Sequence, residues 1–120
     1  MNEIWTYKED AYNRDSNDEG LIGFSVEATD GSIGKVDEAT NDAERNYLVV
    51  DTGPWIFGKK VLLPAGVVKT VDLDSETIFI DRTRDQVKNS PEFDETSYRE
   101  SPFHEQVGSY FGSNDPISRG

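Results

Sequence analysis

From Phe24 to Asp81 the chain alternates short apolar segments with turn signals, and no stretch between turns is long enough for an ordinary helix. Phe24, Val26 and Ala28 alternate with Ser25, Glu27 and Thr29, the period of two of a half-buried strand. Asp30-Gly31 follows, a dipeptide suited to the positive φ angles of a type I′ hairpin turn. The next strand is expected from about Ser32 to Thr40. Within it Ile33 and Val36 differ in parity, so both reach one core only if the strand is bulged; Gly34 marks the expected place. Asn41 to Asn46 reads as a second turn. Tyr47-Leu48-Val49-Val50 is continuously apolar, as in a strand covered on both sides. Lys60 to Pro64 is a short strand whose proline favours an end or an edge. Ala65-Gly66 turns the chain into Val67 to Leu73, Asp74-Ser75-Glu76 turns it again, and Thr77 to Asp81 closes the set. About six strands with short connections and no crossover helices predict an all-β, antiparallel barrel or sandwich. Closure into a barrel would also hide the sheet edges.

The flanks differ in character. Ile4, Trp5, Tyr7 and Tyr12 are expected to dock on something, whereas Asn13 to Gly20 is polar and turn-forming. After Asp81, residues 82–89 suit a short helical turn stopped by Ser90-Pro91. Glu92 to Glu100 is acidic and expected to be mobile. Ser101-Pro102 has the form of a helix start. Phe103, Val107, Tyr110 and Phe111 then fall on one helical face, with Gly112 as a stop. Gly108 costs such a helix roughly 1 kcal/mol, so the helix needs packing to persist. The organisation expected is an arm over 1–19, a barrel over 20–85, and an extension over 86–120 with one short helix near 102–111.

Composition excludes several functions. The 120 residues contain no cysteine, which removes disulfides, thiolate metal sites and cysteine nucleophiles. No apolar run approaches the ~20 residues of a membrane span, and the N-terminus lacks a leader pattern, so a cytoplasmic protein without membrane insertion is expected. A net charge of −12 opposes nucleic-acid binding and attraction to anionic membranes. Such acidity serves solubility first; a basic partner or a salt-adapted host would also suit it.

Gly23-Phe24-Ser25-Val26 followed by Asp30-Gly31-Ser32-Ile33-Gly34-Lys35-Val36-Asp37 resembles the opening of a PRC-barrel domain. Leu48-Val49-Val50-Asp51, Val61-Leu62-Leu63-Pro64 and Val67-Val68 resemble its later strands, and Lys88 to Phe93 the segment that follows the barrel in stand-alone bacterial members. The resemblance implies a small six-stranded antiparallel barrel of the PRC type with a short C-terminal helical tail. It also implies a family that docks onto larger assemblies and has no catalytic set to transfer.

The residues themselves offer little chemistry. The single histidine, His104, lies at the edge of the tail helix's apolar face, where packing is the expected role. Asp72, Asp74 and Glu76 alternate, and on a strand would share a face that a hard cation could use, although the EF-hand pattern is absent. This acid cluster is the only motive for reading the chain as a small-ligand or metal-binding regulatory or stress protein. No phosphate-cradling pattern is present, no cofactor is implied and no enzyme is expected. The most informative segment is Gly53 to Lys60. Trp55, Ile56 and Phe57 are large apolar side chains in a loop, flanked by Lys59 and Lys60. Either the loop plugs a barrel mouth or it forms an interface. The function expected is a non-catalytic protein-interaction or assembly module, homodimeric, burying this loop and the face Phe103, Val107, Tyr110 and Phe111 against another chain.

Overall fold

A computed structural model of the chain describes residues 3–5, 18–40, 46–53 and 60–113. The strands are β1 (Ser25–Ala28), β2 (Gly31–Ala39), β3 (Tyr47–Asp51), β4 (Lys60–Pro64), β5 (Val68–Asp72) and β6 (Thr77–Ile80). Two helices follow, α1 (Arg84–Lys88) and α2 (Ser101–Ser113). The strands form one six-stranded sheet in the order β4-β3-β2-β1-β6-β5. Neighbours are antiparallel except β1 and β6, which run parallel, with Ser25 opposite Thr77. The sheet is therefore mixed, which corrects the fully antiparallel expectation. Its two terminal strands, β4 and β5, are consecutive in the chain and joined by the 3₁₀ turn Ala65–Val67.

β2 is the long strand that holds this arrangement together. Its first half pairs with β1 and its second half with β3, the two sets meeting where Lys35 faces both Ser25 and Asp51. Ile33 is the extra residue against β1, and Asp37 the extra residue against β3. Each bulge resets the side-chain parity, so Ile33 and Val36 both point into the core, 1% and 3% exposed. Gly34 stands beside the first bulge, at φ +153°, with its backbone against the Asp51 carbonyl. No other residue type fits that approach.

The continuous apolar run of β3 has two covers. Tyr47 faces the Trp5 and His104 rings, at 6.4 and 5.1 Å between centroids. Alternation and register then place Val49 and its β4 partner Leu62 on the same side. Leu48, Val50, Val61 and Leu63 lie on the opposite face, toward the sheet's own interior, and all are buried. The N-terminal turn docks through its backbone as well: the Asn46 N–H donates to the Trp5 carbonyl at 2.9 Å, and the Ala65 N–H to the Asn46 carbonyl at 2.9 Å. Tyr7 and Tyr12 lie outside the described residues.

The outer cover is the C-terminal segment. Thr83 caps α1 in a reciprocal capping box with Gln86. The acidic stretch after Ser90, expected to be mobile, is instead tied down. Phe93 stacks on Tyr98 at 4.6 Å and meets Phe103 edge-on at 6.4 Å. The Tyr98 hydroxyl donates to Glu38 at 2.7 Å, while Arg99 lies over the Tyr98 ring and pairs with Glu38 at 3.3 Å. α2 then packs along β4 and onto Trp5. Gly108 finds its reason here: a Cβ on it would meet the Trp5 indole at 3.0 Å, so the helix accepts glycine's low propensity to let the ring lie against its backbone.

Tyr98 links this cover to pH. Burial first, and then its bond to the Glu38 carboxylate, push the phenol up to about 12 from 10.0. A raised folded pKa stabilises the fold fully below the unfolded value, and that contribution is lost as pH climbs through the window from 10.0 to about 12. In that window wild type should lose on the order of 1 kcal/mol per pH unit more than Tyr98→Phe. Urea titrations of both proteins across the window check this; parallel pH curves would refute the coupling.

Candidate interaction surface

The β3–β4 ladder keeps unbroken register from Tyr47 opposite Pro64 to Asp51 opposite Lys60. Residues 52–59 join these two directly paired ends in the sequence. The Asp51 carboxylate accepts the Gly53 N–H at 2.9 Å and starts the turn out of β3. Thr52, 3% exposed, anchors the loop's first residue inside the fold. Beside this anchor lies a largely apolar groove of about 450 Å³ between Ser32–Lys35 of β2 and Asp51–Gly53. Gly34 is part of its lining, and so is the exposed Lys35.

Lys60, at the other end of the loop, bonds to Asp37 at 3.1 Å and reaches Glu95 at 3.6 Å. The Asp37 bond is the main reason its ammonium is held above the usual lysine value. Both pairs are partly solvated, so they add little stability. They tie the start of β4 to the Asp37 bulge and to the covering segment. Trp55, Ile56, Phe57 and Lys59 lie outside the described residues.

The other residues singled out in the sequence fall elsewhere. Phe103, Val107 and Phe111 are buried, 7%, 1% and 0% exposed, within this chain's own core. Tyr110 is half-buried, and its hydroxyl donates to the Gln86 carbonyl at 2.6 Å. These residues form one helical face, and within this chain that face rests on β4, Trp5 and α1. His104 is likewise a packing residue, 6% exposed between the Trp5 and Tyr47 rings.

Asp72, Asp74 and Glu76 do not share a strand face, because β5 ends at Asp72. The Asp72 carboxylate instead accepts the N–H groups of Asp74 and Ser75, at 3.1 and 3.3 Å, and shapes the β5–β6 turn. Glu76 completes that turn at φ 54°. Among the described residues no three acids or histidines converge on a possible metal position. A structural residue missed in the sequence is Arg82, 1% exposed, which joins the end of β6 to the end of α2. A single charged residue in a polar turn carries no local sign of burial.

Among the described residues no helix is long and apolar enough to cross a membrane. A family model for the PRC-barrel domain matches residues 16–87. No curated protein matches the chain. Among solved structures, a crystal structure described as a 16S ribosomal RNA processing protein RimM from Pseudomonas aeruginosa is similar at 22% identity and a TM-score of 0.50. The likeness covers 58% of this chain and 45% of that one, so this chain spans less than half of that relative. At such identity the likeness is one of fold. The match over 16–87 takes in all six strands and every turn between them, and by it the chain belongs to the PRC-barrel domain family.

Proposed function

We propose that the chain is a non-catalytic, cytoplasmic protein-interaction module that presents its β3–β4 hairpin loop to a protein partner. The observation that supports this is the pairing of Asp51 with Lys60, the two residues between which the sequence carries Trp55, Ile56 and Phe57. Hairpin loops run over the surface, and large apolar side chains there mark recognition sites, tryptophan above all. The sheet supplies the rigid base, and the Ala65–Val67 turn is its corner. Family membership and the fold likeness to a protein named for ribosomal RNA processing support attachment to a larger assembly. With a net charge of −12, a protein face of such an assembly suits this chain better than RNA.

A photo-crosslinking residue placed at Phe57 tests the reading in the native host. The expected result is a discrete adduct with another protein, lost when Trp55→Asp is added, and not formed from the exposed position Glu100. No adduct from Phe57, or the same adducts from Glu100, would refute it.

A further inference from the structure

The two terminal strands of the sheet are treated differently. β4 is covered: α2 packs along it, and Val61 to Pro64 are buried. β5 has β6 on one side and, among the described residues, no strand on the other. Lys69 and Thr70 are exposed there. Leu73, just past the strand's end, is 56% exposed, the most of any large apolar side chain described. A bare edge offers a row of backbone groups to another strand.

The sequence of β5 is complementary to itself. Val68 is buried and Val71 packs partly against the core, so both turn inward, while Leu73, in the turn just past the strand's end, is exposed. Lys69 is the extra residue of a bulge, beside the pairing of Thr70 with Phe79, and Asp72 falls on the outward side with Thr70. With Val71 on a two-fold axis, the bulge sets Asp72 opposite the other copy's Lys69 and Thr70 and leaves Leu73 at each end of the seam. Opposite charges then meet on the outer face, twice by symmetry. Asp72 commits Oδ1 to its own turn, and the new ion pair uses Oδ2.

We propose that β5 is a self-association edge, through which a second copy of this chain pairs antiparallel over residues 68–72 and continues the sheet. This surface is separate from the hairpin loop, and the inference does not depend on the partner-binding reading. A lysine on a bulged edge also serves to keep strands apart. Against that role stand the display of Leu73, which a guarded edge has no reason to expose, and the match of Lys69 with Asp72.

Light scattering on a size-exclusion column, over rising protein concentration, tests the proposal. The mass should climb from the 13.5 kDa of one chain toward twice that value. Lys69→Glu and Leu73→Lys, at exposed positions, should each weaken association by about ten-fold or more with an unchanged circular dichroism spectrum. Trp55→Asp should leave it intact. Because the chain has no cysteine, Val71→Cys reports the register: mild oxidation should join two such chains, whereas Lys35→Cys chains stay single. A monomer at every concentration overturns the proposal. So does a dimer that survives both edge substitutions, that Trp55→Asp abolishes, or that Val71→Cys fails to trap.

Discussion

A Gly34→Ala chain is expected to lose much of its stability. The added Cβ would lie 2.1 Å from the Asp51 carbonyl oxygen, 2.9 Å from its carbonyl carbon and 3.0 Å from the Thr52 Cα. All three obstacles are backbone, so no rotamer change relieves them. The φ of +153° adds strain for any residue with a side chain. The only relief is to part β2 from β3 where Lys35 faces Asp51, which is also where β1 and β3 meet along β2. The loss should be about 4 kcal/mol or more, a large share of a small domain's margin of roughly 5–15 kcal/mol. Gly20→Ala is the control, since a Cβ there meets nothing within 4 Å, and it should change stability by no more than about 0.5 kcal/mol. Urea unfolding followed by circular dichroism measures both. A Gly34→Ala protein within about 1 kcal/mol of wild type would show that the sheet yields easily at this crossing.

Gly34 also shows what the sequence could reveal. The parity conflict between Ile33 and Val36 announced a bulge, because one core has to receive both side chains. The second bulge, at Asp37, left no such trace: Asp37 and Glu38 are both charged, and neither parity is wrong for them. The double-sided cover of Tyr47 to Val50 was legible as an unbroken apolar run. The parallel pairing of β1 with β6 was not, since strand direction depends on where residues 25 and 77 meet in space. Alternation over Asp72, Asp74 and Glu76 suggested a shared face because a period of two does not say where a strand stops. The tail helix was legible as a periodic face, yet periodicity cannot tell a partner in the same chain from one in another. The intrachain contact of the Trp5 ring with Gly108 was not legible, because it joins residues at opposite ends of the sequence.

The second large effect is expected at Arg82. Asp81-Arg82-Thr83-Arg84 reads as a polar turn, yet the Arg82 side chain is 1% exposed. Its backbone carbonyl accepts the Thr29 N–H at 3.0 Å, which fixes it at the end of β6. Its guanidinium donates to the Asp81 carboxylate, and at 2.7 Å to the Phe111 carbonyl, while lying 6.0 Å from the centre of the Phe111 ring. α2 ends at Ser113, so the Phe111 carbonyl is among the last four, which lack intrahelical partners. A buried cation at that end satisfies the carbonyl and opposes the negative pole of the helix. Arg82→Met keeps an apolar stem but strands both acceptors, at an expected cost of about 3 kcal/mol. Arg82→Lys should recover only part of the loss, because one ammonium cannot reproduce the planar fork. Trp5 lies under α2, so in a Trp55→Phe background its emission should shift to the red before the sheet melts. The double variant Asp81→Asn, Arg82→Met removes the stranded carboxylate and should be more stable than Arg82→Met alone. If Arg82→Met instead unfolds at the wild-type urea midpoint with an unshifted Trp5, apolar packing alone holds α2, and the arginine is a tolerated burial with no latching role.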